Sequence, residues 1–122
     1  MDILLIENDA NRRIAAADRL AMAGHRVTLS SSVREAREIL RFVEDDADAP
    51  EAVVIAAALE MADRTRFHEE TADRFPDACW IPFRPDLGLD WLEDWLTRTT
   101  GYTPAFASNV IRFPAARVRH GV

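Results

Sequence analysis

Ile3-Leu4-Leu5-Ile6 is a continuous apolar run that ends in the polar cluster Glu7-Asn8-Asp9. A strand buried on both faces of a parallel sheet reads this way. Ile14, Ala17, Leu20 and Ala21 then recur on one helical face, with Arg12, Arg13, Asp18 and Arg19 mostly elsewhere. Gly24 stands just past them, where a helix stops. Arg26-Val27-Thr28-Leu29 predicts a second short strand. Ser32-Val33-Arg34-Glu35 is a capping box, in which Ser32 accepts from the backbone three residues on and Glu35 reaches back. Behind it Val33, Ala36, Leu40 and Val43 recur at helical spacing, with Ile39 beside them. An acidic loop, Glu44-Asp45-Asp46-Ala47-Asp48-Ala49-Pro50, leads to a third buried strand, Ala52-Val53-Val54-Ile55-Ala56-Ala57.

The second half reads less sharply. Residues 60–75 form a helix with a thin apolar face of Phe67, Thr71 and Phe75, ended by Pro76. Ala78-Cys79-Trp80-Ile81 predicts a fourth strand, cut off by Pro82 and Pro85. Leu89, Leu92, Trp95 and Leu96 mark a short amphipathic helix, and Trp91 and Trp95 add large area to the core where they pack. From Thr100 onward the pattern becomes polar and proline-marked, with one apolar patch, Val110-Ile111-Arg112-Phe113-Pro114. The order β-α-β-α-β-α-β-α implies an α/β fold: a small doubly wound parallel sheet of about four strands, flavodoxin-like, with helices on both faces. The expected organisation is a domain over residues 1–99 and an extended basic tail over 100–122, which adds at most one more strand to that sheet.

Charge sharpens this division. Residues 1–99 hold all 21 acidic residues and 12 of the 15 basic ones, whereas residues 100–122 hold no acid and three arginines. The acidic body argues against a direct nucleic-acid face, because phosphate binding needs clustered positive charge. The chain has no lysine, which excludes Schiff-base chemistry and a P-loop lysine. Its four glycines stand too far apart for a phosphate-binding loop. Cys79 is the single cysteine, so neither an internal disulfide nor a zinc pair is expected, and a reducing cytoplasm fits. The first apolar run has no basic segment before it and is not read as a signal peptide. No stretch approaches the roughly 20 apolar residues of a membrane span.

Three segments together resemble the receiver domain of bacterial response regulators: Ile3-Leu4-Leu5-Ile6-Glu7-Asn8-Asp9-Ala10, Gly24-His25-Arg26-Val27 and Pro50-Glu51-Ala52-Val53-Val54-Ile55. The resemblance covers about residues 1–59. A receiver needs an acidic pair for Mg²⁺ and an aspartate at the end of the third strand that becomes an aspartyl phosphate. It also needs a Ser or Thr on the fourth strand and a Lys before Pro on the fifth. By resemblance the acidic pair falls on Glu7 and Asn8, with Asp9 one position further into the turn. The phosphoacceptor position falls on Ala56, and a slip in register reaches only Ala57 or Ala58. The lysine position falls on Ile81, in Ile81-Pro82-Phe83. Ala56 and Ile81 stand 25 positions apart, far fewer than a receiver uses, so about one β-α unit is missing. The resemblance therefore implies a degenerate receiver that cannot form an aspartyl phosphate and works by binding.

Other signals have plainer readings. Glu7 and Asp9 are expected to cap the first helix. An acid after a first strand is also similar to the Toprim fold, but Ala56-Ala57-Ala58 lacks the further Asp-x-Asp. His68-Glu69-Glu70-Thr71-Ala72 begins like a zinc-protease helix but has Ala72 at the second histidine, so it reads as a solvated face. His25 reads as a helix-end or surface residue, Cys79 as a buried small hydrophobe, and residues 44–48 as a solvated loop. Trp91 and Trp95 are core residues or partner anchors. Val110, Ile111, Arg112 and Phe113 suit strand addition to a sheet edge, the protein's own or another's. The expected function is a non-catalytic, phosphorylation-independent regulatory module in bacterial signal transduction, with no metal or cofactor. It would act on a protein partner, a regulator or kinase-related protein, or by self-association, without nucleic acid or membrane. The alternatives are an assembly subunit that reuses the fold and an enzyme with a residual acidic metal site.

Overall fold

A computed structural model describes residues 1–101. The tail patch of Val110, Ile111, Arg112 and Phe113, and any strand it adds, lie outside the described residues. The elements are β1 (Asp2–Ile6), α1 (Ala10–Met22), β2 (Arg26–Ser30), α2 (Val33–Arg41), β3 (Ala52–Ala56), α3 (Met61–Arg74), β4 (Cys79–Phe83) and α4 (Leu89–Thr100). The four strands are all parallel and lie in the order β2-β1-β3-β4. Among the described residues this is the order of a small doubly wound sheet.

Alternation along the strands divides the interior into two cores. Ile3, Leu5, Val54, Ile81 and Phe83 meet Ala16 and Leu20 of α1 and Leu92 and Leu96 of α4. Leu4, Ile6, Val53 and Ile55 meet Val33, Ala36 and Leu40 of α2 and Phe67 of α3, with Phe75 beyond its end. Helices α1 and α4 therefore cover one face, and α2 and α3 the other. Strands β1 and β3 are buried on both faces, which is why they read as unbroken apolar runs. Each fully buried Leu, Ile or Phe contributes about 1.5–3 kcal/mol.

The ends of the helices follow local chemistry. Gly24, at φ 97°, closes α1: its N–H donates to Ala21 C=O at 3.0 Å, and His25 N–H donates to Leu20 C=O at 3.1 Å. This pair of bonds is a Schellman motif, and the positive φ is one that glycine adopts without steric cost. Ser32 Oγ accepts from Glu35 N–H at 3.0 Å. Glu35 Oε1 accepts from Ser31 N–H at 2.8 Å rather than from Ser32, whose own N–H lies 3.4 Å from Ser30 Oγ. Arg74 of α3 donates to Leu40 C=O at 2.5 Å, which also accepts from Val43 N–H at 3.1 Å, and to Val43 C=O, tying α3 to the end of α2.

Four expectations need correction. The buried face of α1 is Ala16 and Leu20, continued by Ala23, while Ile14 is 53% exposed. An alanine-rich helix carries no strong apolar stripe, and the small Ala16 lies at the sheet-facing position. His25 stands at the helix end as read, where its N–H closes α1, but its side chain is buried rather than on the surface. Cys79 is half-buried against the α1/α4 core rather than fully buried. Strand β4 runs through Pro82 to Phe83 instead of stopping at Ile81. Cys79 N–H donates to Glu51 C=O, and Phe83 C=O accepts from Ala57 N–H, so odd-numbered residues face β3. The nitrogen of Pro82 therefore faces the outer edge, where no ladder bond is lost.

Candidate functional site

In a doubly wound sheet the crevice lies at the carboxyl ends of the strands, where the chain leaves neighbouring strands toward opposite faces. Here that point falls between β1, which leads to α1, and β3, which leads to α3. Ile6 pairs with Ile55, so the next step places Glu7 beside Ala56, and Ala56 pairs with Phe83. By alternation with Leu5, Val54 and Ile81, the row Glu7-Ala56-Phe83 faces α1 and α4.

Glu7 is fully buried, with no side-chain exposure. Its backbone N–H donates to Ser30 C=O at 3.0 Å, which fixes it as the last rung of the β1–β2 ladder. Its Oε1 accepts from Asp9 N–H at 3.1 Å and from Arg12 Nε at 3.3 Å. Arg13 donates to the Glu7 carbonyl at 2.9 Å. Oε2 is buried with no hydrogen-bond partner among the described residues. A carboxylate removed from water requires a compensating cation, and Arg12 supplies it from the first turn of α1.

Asp9 is the N-cap of α1, and its side chain accepts from Arg12 N–H at 2.9 Å. That bond, before the nearby arginine charges, holds its carboxyl below the usual carboxylate range. The expectation that both acids cap α1 holds for Asp9 and not for Glu7, which takes the Asp9 N–H and the Arg12 side chain instead. Asn8 is exposed between them. Ala56 is fully buried at the end of β3. Ile81 lies in mid-strand opposite Val54, with its side chain in the α1/α4 core. The level of Ala56 is reached on β4 by Phe83.

Among the described residues, no three His, Cys, Asp or Glu side chains come together to hold a metal ion. Trp91 and Trp95 are half-buried on α4 and stack at 5.3 Å with their planes 29° apart. Trp95 packs on the core, and the Arg98 guanidinium lies 5.9 Å from its ring centroid. They do not adjoin the Glu7 crevice in sequence or in the sheet row. His68 is exposed and meets Trp80 edge-on at 4.5 Å. Residues 44, 45, 47 and 48 are exposed. None of the described helices is long and apolar enough to cross a membrane.

The sequence pattern alone did not mark Arg12 and Arg13 as members of this cluster. Their signal was a pair of arginines in the first turn of a helix, five and six residues after an acid that ends a buried strand. No family model matches this chain, and no curated protein matches it.

Proposed function

We propose that the chain is a non-catalytic, receiver-like regulatory module that acts through protein–protein contacts in bacterial signal transduction, in the cytoplasm and without a phosphorylation step. One observation carries this reading: the buried Glu7 at the switch point is tied to Arg12, beside a methyl group at Ala56. In a receiver that crevice gathers several negative charges, which Mg²⁺ and a lysine offset when phosphate arrives. Here the protein's own guanidinium offsets the one buried carboxylate, and Ala56 has no atom to accept phosphate. The crevice is thus held in one state, and binding information lies on other surfaces. The all-parallel order β2-β1-β3-β4 supports the same reading. The competing reading as a metal enzyme is weakened because Arg12 stands where a cation would bring its charge.

The test is incubation with acetyl phosphate and Mg²⁺, followed by intact-mass measurement. The mass is expected to stay unchanged, both in the natural chain and in Ala56→Asp, which still lacks a lysine and a second acid. An acid-labile phosphoryl adduct on the natural chain would sink the reading. An adduct on the variant alone would show that more of the phosphorylation chemistry survives than Glu7 and Arg12 suggest.

A further inference from the structure

Strand β2 borders the sheet on one side. Arg26 N–H donates to Met1 C=O and Ser30 C=O accepts from Glu7 N–H, so Arg26, Thr28 and Ser30 bond toward β1. The backbone groups of Val27 and Leu29 therefore face outward, and no described strand lies beyond them. The other border strand, β4, carries Pro82, which blunts that edge.

The helices on the two faces of β2 both turn an apolar flank toward this edge. Arg19 marks the flank of α1 that faces α4, through its ion pair with Glu93. At about 100° per residue, Ile14, Ala17 and Ala21 lie about 140–200° round the helix from Arg19, away from α4 and toward the outer edge. Val27 packs on the α1/α4 core, so Leu29 lies on that same face by alternation. Ile14 is 53% exposed and Leu29 42%. On the opposite face a groove of about 250 Å³ runs between β2 and α2, with Thr28, Ile39 and Val43 in its walls. An open strand with apolar surface on both sides is a place for another chain.

In register and charge, β2 is its own complement. A second β2 laid antiparallel about a twofold axis at Thr28 sets Val27 opposite Leu29 of the second copy, and each such pair exchanges two backbone hydrogen bonds. Thr28 meets its own counterpart on the axis, a favourable cross-strand pair. Arg26 is the single charged residue of β2 and falls opposite Ser30 of the second copy, so no like charges meet on the strands. Beside that Ser30 stands Glu35, whose Oε1 accepts from Ser31 N–H at 2.8 Å. Arg26 and Glu35 are both exposed, on the α2 face of the sheet. Arg26 pairs with Asp2 of its own chain and keeps further N–H donors for a second carboxylate. Within one chain Arg26 and Glu35 stand at opposite ends of β2, about 15 Å apart along the strand. Across the axis they come together, once at each end. Helix α1 lies over β1 and β2. The same axis therefore places the two α1 helices about 10 Å apart, the separation of packed helices. We propose that β2 and its two helix flanks dock a second copy of this chain, joining the four described strands of each copy in one sheet. This dimer does not depend on the state of the Glu7 crevice.

The test is sedimentation of the full natural chain and of its Arg26→Glu, Glu35→Arg and doubly reversed variants, with circular dichroism to verify that each is folded. The natural chain is expected to form a dimer that dissociates on dilution. Each single reversal sets like charges together at both ends of the interface. The single variants are expected to dimerise about tenfold or more weakly, and the double variant to recover the natural affinity to within about threefold. In the natural chain, amide exchange at Val27 and Leu29 is expected to slow as the dimer forms, while Leu4 and Val54 stay unchanged. A natural chain that stays monomeric at every concentration would overturn the proposal. So would single variants that dimerise like the natural chain, or a double variant no tighter than the singles. Protection of Val27 and Leu29 that is independent of concentration, beside a sedimenting monomer, would overturn it by showing the edge covered within one chain.

Discussion

Two buried polar residues show how position decides the role of a side chain. An acid at the end of a strand reads as a helix cap. The cap bond, however, belongs to the residue whose side chain can reach the N–H three positions on, and that is Asp9 toward Arg12. Glu7 comes two residues earlier, where alternation still turns it inward, so it needs a cation, and periodicity alone puts Arg12 only on a polar helix face. His25 is the second case. Gly24 made the helix end legible, but the burial of the next side chain depends on Met1, whose amine lies 3.2 Å from His25 Nδ1. Burial first, and the positive amine second, push the His25 pKa down to about 4 from an ordinary 6.5. Between those values the unfolded chain binds more protons than the folded one. Stability is therefore fully present above pH 6.5 and falls as the pH drops toward 4. Thermal melts should show a Tm that declines across that window, and His25→Gln should flatten the decline. An unchanged slope in the variant would assign the pH response to other groups.

At the level of elements, periodicity was enough wherever an element has an unambiguous face. The α2 repeat of Val33, Ala36 and Leu40 is the buried set. The thin face of α3, Phe67 and Thr71, is also buried as expected. Failures fell where a different constraint ruled. Pro82 stops a central strand but not an edge strand, and which strand is an edge is a property of the sheet rather than of residues 79–83. In α1 the many alanines left the facing direction open, and packing on the sheet chose Ala16 over Ile14. The cap of α2 gives a direct measure of one such local device. Ser32→Ala removes the acceptor for Glu35 N–H and should cost about 1 kcal/mol in denaturant unfolding. A loss below a few tenths would mean that Glu35, bonded to Ser31, holds the helix start by itself.

For the whole molecule, the element order in the sequence already carried the parallel doubly wound sheet, because four short apolar runs alternating with helical patterns leave few other arrangements. Which face each helix takes was not legible, since it depends on strand order, and strand order emerges only from long-range pairing. The two edges that result are unequal. Assembly through sheet edges has a valence: two open edges propagate head to tail into filaments, while one open edge closes after a single twofold pairing. Among the described residues, with Pro82 on β4 and no strand paired to the outer backbone of β2, the sheet has a valence of one. A chain ending at Gly101 retains the four described strands and every described residue of the two cores, so it is expected to fold. In a sedimentation series it should move between monomer and dimer, with no larger species at any concentration. Growth into fibres or higher oligomers would reveal a second adhesive surface. Proline in one outer strand thus sets an upper limit on aggregation, turning what would otherwise be polymerisation into closure.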